Sequence, residues 1–276
     1  MEAKLHRKLN KSKSVKNLKE PVRYIPDMFG FDIPNYNPSD ITIAILDTGI
    51  PSHFDINYKE EDNKNSCIDL LLNKCEIKDI NGHATIISGI LCGSNPSGVM
   101  GMCPSAKYMF CKIMNDDGLG DTSNITAGLL WAMCQKFDIL LLSSGSPIDD
   151  RYMKKVIDKC YAMNKIIIVA SGKEITKNSK SLFPAGYDGV ISCSSARKNS
   201  AKYLPQNKRM EIDLSFNSIW STFTDDTYIK SGGSSVAAAI VCGAAANFLH
   251  YLKSKDHNWE TASDFMKLFS EKIRNQ

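Results

Sequence analysis

Hydrophobic positions along this 276-residue chain fall into two alternating patterns. Short unbroken runs rich in β-branched residues occur at Ile41 to Leu46, Lys107 to Met114 (KYMFCKIM), Asp138 to Ser144 (DILLLSS), Lys165 to Ala170 (KIIIVA) and Gly189 to Cys193. Such a run leaves no face for water, so each predicts a strand buried in a parallel sheet. Between them lie helical stretches: IISGIL after Gly82-His83-Ala84-Thr85, then Thr122 to Gln135, Tyr152 to Met163, Ser235 to Leu252 and Glu260 to Ile273. Strands alternating with helices imply right-handed crossovers that cover both sheet faces. The expected fold class is α/β, a doubly wound, mostly parallel central sheet with helices on both faces.

Three segments interrupt or precede this pattern. Residues 1–20 are polar and basic, with seven Lys or Arg against Glu2 and Glu20, and are expected to form a solvated, disordered tail. Residues 21–40 carry Pro21, Tyr24, Pro26, Phe29, Phe31, Pro34, Tyr36 and Pro38, which suits an extended segment lying over a surface. Residues 56–80 are charged surface excursions with one short strand or helix around Ile68 to Leu72. Residues 41–276, this excursion included, are long enough for one large domain.

Composition narrows the function classes. The tail holds a net +5 of the formal +4, which leaves the body near −1 and without the basic face that nucleic acid requires. The tail lacks an apolar core and a small-residue cleavage site, and no apolar run reads as a membrane span. Nine cysteines, an odd number without a CxxC pair, lie mostly inside apolar stretches. They read as reduced, buried thiols of a cytoplasmic protein rather than a disulfide framework or a metal site.

Candidate chemistry clusters where strands end and helices begin. Lys230 to Ala246 (KSGGSSVAAAIVCGAAA) is a small-residue turn running into a buried helix, and Ser235 falls in its first turn, where unpaired backbone N–H groups can receive an oxyanion. Asp47 ends the first core run, at the sheet edge where α/β ligand chemistry collects, and His83 opens the IISGIL helix. Capping alone also accounts for Gly and Ser before an Ala-rich helix, and an isolated histidine is ordinarily a satisfied one.

The order Asp47, His83, Ser235 joins these fragments. With LDTGI, GHATIISG and GGSSVAAAIVCGAAA as its three blocks, the chain resembles the subtilisin-like serine proteases from Ile41 to its last helix, and in organisation their intracellular members. GVMGMCPSAKYMFCKIM, NDDGLGDTSNITAGLLWAM, DILLLSSGS and SLFPAGYDGVISCSSA continue the likeness. The resemblance implies that Ser235 attacks a peptide carbonyl, His83 shuttles the proton and Asp47 orients His83. It implies a peptide-binding edge at Asp117, Gly118, Gly120, Ser143, Ser144 and Gly145, with Ala170, Ser171 and Gly172 beside the cleft. The partner expected is a peptide or protein substrate.

Departures from the family pattern bear on activity. Lys173 stands where the family usually has an oxyanion-binding Asn, which leaves the Ser235 backbone N–H and the Lys173 ammonium as candidate donors. Asn178 is a remote substitute. Ala84, Ser234, Val236 and Ala239 are milder replacements. Asp55 and Asn95 fall where many relatives bind calcium, but two side chains do not make a site, and no cofactor is required. Val22-Arg23-Tyr24-Ile25-Pro26 resembles a short blocking segment, so autoinhibition by residues 1–26 is expected. The leading reading is a serine endopeptidase working through an acyl-enzyme; its rival is a pseudoprotease that binds extended peptides without efficient hydrolysis because of Lys173. The DTG of LDTGI also matches an aspartic-protease signature, but that mechanism needs a second aspartate in an all-β chain.

Overall fold

A computed structural model describes residues 2–4, 13–58, 67–71, 77–172, 182–195, 199–255 and 259–274. In chain order the first elements are β1 (Glu2–Lys4), β2 (Val22–Arg23), β3 (Thr42–Asp47), β4 (Cys67–Asp69), α1 (His83–Cys92), β5 (Val99–Met100), β6 (Lys107–Lys112) and β7 (Leu119–Asp121). They continue with α2 (Thr122–Met133), β8 (Ile139–Leu142), α3 (Arg151–Ala162), β9 (Ile166–Ala170) and β10 (Ile191–Ser195). The chain then runs through β11 (Ser200–Leu204), β12 (Arg209–Leu214), β13 (Ile219–Phe223), β14 (Thr227–Ser231), α4 (Ser234–Ser254) and α5 (Ala262–Ser270).

Eight strands form the central sheet in the order β11-β12-β10-β9-β8-β3-β6-β4. All neighbours pair in parallel except the edge pair β11–β12. Side chains alternate across the pleat, so successive residues of β3 enter different cores. Ile43 and Ile45 join the cluster around α1 and α4, while Ala44 and Leu46 join the cluster on the α2 and α3 side. Each of the buried Ile and Leu side chains stabilises the fold by about 1.5–3 kcal/mol, and because both faces of β3 are covered its sequence has no polar alternation.

Helix α4 is long and apolar enough to cross a membrane by length and composition, a feature the run-length reading missed, but 83% of that window is buried inside the protein. Ala237, Ala238, Ala239 and Ala244 to Ala246 are inaccessible and let it lie close against the sheet. Ser234 therefore starts a core helix whose position is fixed by packing along its length.

Some boundaries differ from the sequence expectation. Val15 pairs with Tyr228 and Leu18 packs against the core, so apolar side chains draw residues 13–20 onto the surface where a free tail was expected. Helix α5 is shorter at both ends, and its start is set by the capping box of Thr261 and Asp264. Strands β11 to β14 were not anticipated. Lys173, Asn178 and Cys75 lie outside the described residues.

Candidate active site

Asp47 is the last residue of β3 and is 1% exposed. Helix α1 begins at His83, earlier than the apolar pattern suggested, behind Gly82 at φ +95°. A Cβ on Gly82 would lie 2.3 Å from the Phe223 ring, so only glycine permits this entry. The turn delivers the imidazole to the strand end, where His83 Nδ1 donates to Asp47 Oδ1 at 2.7 Å. Thr48 N–H donates to the same oxygen at 2.7 Å. With Nδ1 carrying the proton, the neutral ring keeps its lone pair on Nε2. Burial pulls the His83 pKa down, but the Asp47 charge and hydrogen bond, joined by the charge of Asp79, outweigh it, and the net shift is upward.

Ser235 is the second residue of α4, so its backbone N–H belongs to the first turn and has no intrahelical acceptor. Its Oγ donates to the Ser143 carbonyl at 2.9 Å. Register places that carbonyl beside the aspartate: Leu46 pairs with Leu142, so Asp47 and Ser143 come next, side by side. Ser235 thus shares the carboxyl edge with Asp47 and His83. Its hydroxyl proton is held by Ser143, not by His83, in this rotamer.

The residues expected to line a peptide-binding edge lie in and before β7 and after β8. Asn115 to Leu119 is a tight turn, closed by Asn115 N–H to Leu119 O at 2.8 Å and Gly118 N–H to Asn115 O at 2.9 Å. Asp117 is exposed at its tip, and Gly120 lies in β7. Ser143, Ser144 and Gly145 are buried along β8's exit, with the Ser143 and Ser144 hydroxyls unpartnered. Ala170, Ser171 and Gly172 continue β9, and Ser171 N–H is tied to Cys193 O at 2.8 Å. Strand β1 pairs antiparallel with β7, Ala3 opposite Gly120 and Lys4 opposite Leu119. Val22–Arg23 do not take this place: they pair with β5, at the far end of α1 from His83.

Asp55 and Asn95 do meet, but not as cation ligands. Asn95 Nδ2 donates to Asp55 Oδ1 at 2.5 Å, and Val99 N–H and Tyr228 O–H donate to Oδ2 at 2.8 and 2.9 Å. Asn95 Oδ1 is itself taken by Ser97 N–H at 2.9 Å. A carboxylate ringed by donors and wholly inaccessible offers no oxygen to calcium, so these residues do not fit that ion. No group of three or more metal-ligating side chains occurs among the described residues.

Two buried side chains beside the site were not singled out from the sequence, Asp79 and Thr48. Asp79 falls within a segment expected to be a charged surface excursion, yet it is 3% exposed and accepts from Thr48, Gly82 and Thr85 around the start of α1. The available signal was a carboxylate just ahead of a helix start that lacks a capping side chain of its own.

A buried aspartate–imidazole pair and a helix-start serine, gathered at the carboxyl edge of a doubly wound parallel sheet, form the layout of a serine hydrolase. Comparison with known proteins narrows the class. Residues 38–270 match the subtilase family model. Subtilisin DY of Bacillus licheniformis is 30% identical over 220 residues, 78% of either chain. Subtilisin BL of Lederbergia lenta is 29% identical over 224 residues, 80% of this chain and 79% of its own. Subtilisin E of Bacillus subtilis strain 168 is 30% identical over 233 residues, 82% of this chain and 59% of its own. The chain belongs to the subtilase family of serine endopeptidases.

Proposed function

We propose that Asp47, His83 and Ser235 form the triad of an endopeptidase that cleaves peptide bonds through an acyl-enzyme. The observation that carries this reading is the buried 2.7 Å contact between His83 Nδ1 and Asp47 Oδ1. It fixes the tautomer that a general base needs and opposes the imidazolium charge that forms during attack. Ser235 Oγ turns from the Ser143 carbonyl to His83 Nε2, which takes its proton as the Oγ–carbon bond forms. Collapse of the tetrahedral intermediate returns that proton to the leaving amine, and water then repeats the sequence to release the acid. The Ser235 N–H is one oxyanion donor; Lys173 is the proposed second. No step in this scheme uses a metal.

We further propose that the peptide substrate adds as a strand to β7, the edge that β1 shares, and that β1 competes with it there. The pairing of β1 with β7 supports this form of autoinhibition. Action in a reducing, cytoplasmic compartment is proposed from the cysteines. All eight that are described are free, and burial keeps thiols such as Cys103, whose pKa is pushed up to about 12, protonated.

Labelling of the purified protein with a fluorophosphonate tests the triad. Intact-mass analysis is expected to show one adduct that Ser235→Ala abolishes. Absence of the adduct, in the full chain and in a form lacking residues 1–12, would replace hydrolysis with the peptide-binding pseudoprotease reading.

A further inference from the structure

Asp79 is a second buried carboxylate beside His83, and the triad does not use it. It is held there by backbone: Ile50 N–H donates to Ile77 O at 2.6 Å and Asp79 N–H to Ile50 O at 2.9 Å. These bonds lay residues 77–79 against the turn after Asp47. Gly49 makes the approach feasible, since a Cβ there would lie 2.5 Å from Ile77 O. The carboxylate is then fully engaged. Its Oδ1 accepts from Gly82 N–H at 2.8 Å and Thr48 O–H at 2.8 Å, and its Oδ2 accepts from Thr85 N–H and Thr85 O–H, both at 2.7 Å.

These contacts join the two halves of the Asp47–His83 pair. Glycine at the N-cap of α1 has no side chain to satisfy the first N–H groups, and Asp79 does so from outside the helix. Thr48 Oγ1 takes the Ala84 N–H at 3.0 Å. Thr48 Oγ1 lies 2.8 Å from Asp79 Oδ1 and 3.2 Å from Asp47 Oδ1, and its single proton follows the shorter bond, which leaves Asp47 Oδ1 to His83 and the Thr48 N–H. The segment bearing Asp47 and the helix bearing His83 are therefore both fastened to one side chain.

We infer that Asp79 is a positioning residue for the reaction: it clamps the Asp47 turn to the start of α1 through Thr48, Gly82 and Thr85, and its negative charge stabilises the imidazolium of His83. This role rests on the triad proposed for Asp47, His83 and Ser235. Among the described residues, the charged groups acting on His83 are Asp47 on β3 and Asp79 on the segment before α1. The Lys112 ammonium on β6 is directed to Thr48 O at 2.6 Å and to Asp116 at 2.8 Å. Asp79 and Asp47 both raise the His83 pKa, against burial.

The test is Asp79→Asn in the full chain, with kcat and KM followed over pH and folding checked by thermal melting. The amide keeps the shape, removes the charge and turns an N–H₂ toward donors. kcat is expected to fall on the order of 10- to 100-fold with KM little changed, the loss a misplaced base produces. The acid limb of the kcat/KM profile should move to lower pH, because the imidazolium has lost a counter-charge. A folded variant whose acid limb stays in place, or whose kcat is unaltered, overturns the inference. Should Asp79→Asn not fold, Thr48→Val cuts the link alone and Thr48→Ser restores it. kcat should drop in the first and recover in the second, and equal values in the two would sink the clamp. Failure of fluorophosphonate labelling in the unaltered protein would instead remove the triad reading, so the two failures are distinct.

Discussion

His83 sits under opposing electrostatic demands, and their balance sets when it works. Burial favours the neutral ring, whereas the charge and hydrogen bond of Asp47, then the charge of Asp79, favour the imidazolium and prevail, so its pKa lies above the ordinary 6.5. A general base must be unprotonated to accept the serine proton. Activity should therefore fall as pH drops through a midpoint above 6.5, measured as kcat/KM on a peptide amide. Asp47→Asn removes the larger of the two carboxylate contributions, and its acid limb should move down while kcat falls by about 10⁴, as it does when a serine-protease triad loses its aspartate. A wild-type midpoint below 6.5 would contradict this balance of charge over burial.

At the scale of elements, the segment after β3 and the loop before β5 are tied by a protein knot in place of an ion. Asp55 is the centre, held by Asn95, Val99 and Tyr228, while its own N–H donates to His53 Nδ1 at 3.0 Å. Since His53 Nδ1 accepts, its Nε2 carries the proton and donates to Thr227 O at 3.1 Å, which joins β14 to the knot. Burial lowers the His53 pKa despite the nearby Asp55 and Asp226 carboxylates. The neutral form is thus the folded one, and its stabilisation, present above the unfolded pKa of 6.5, is lost as pH falls toward the depressed folded value. Thermal unfolding should be insensitive to a chelator. Tyr228→Phe should cost about 1.5–3 kcal/mol by leaving a buried charged acceptor short of one donor, read from denaturant melts; a chelator-sensitive melting temperature would show that an ion, not the knot, joins these loops.

Elements also differ in how far the sequence exposes them. The strands apolar on both faces were legible as unbroken runs, and Asp47 and Ser143 as the polar residues that end such runs at the reactive edge. Strand β12 was not, because its Arg209–Leu214 sequence alternates buried and partly exposed positions and resembles a surface segment. The residues proposed as the triad stood out in the sequence because each stands at a strand end or a helix start. Asp79 was hidden because its partners, Thr48 and Thr85, are brought to it only by the packing of α1 against the β3 turn.

In the whole molecule, the N-terminal region is split between two places, and the split decides how autoinhibition can be tested. Tyr24, Phe29 and Phe31 are core residues, and the Tyr24 hydroxyl donates to the Trp220 carbonyl, so residues 21–31 belong to the folded body. Val15 and Leu18 are likewise packed. Among the described residues of this region, only β1 reaches the edge proposed to bind peptide, and it does so antiparallel to β7, the orientation in which an added strand would compete with substrate. A three-residue strand gains little, since each ladder hydrogen bond nets about 1 kcal/mol. A longer peptide that also fills the cleft should therefore displace it. Removing residues 1–12 takes away β1 and spares the core, whereas removal through residue 26 would also strip the buried Tyr24 and destabilise the fold. The shorter deletion is expected to lower KM for a peptide substrate with kcat unchanged, and a synthetic peptide of residues 1–12 should then inhibit it competitively. Equal KM in the two forms would mean that β1 leaves the edge before substrate arrives, and that its pairing with β7 has no part in controlling the enzyme.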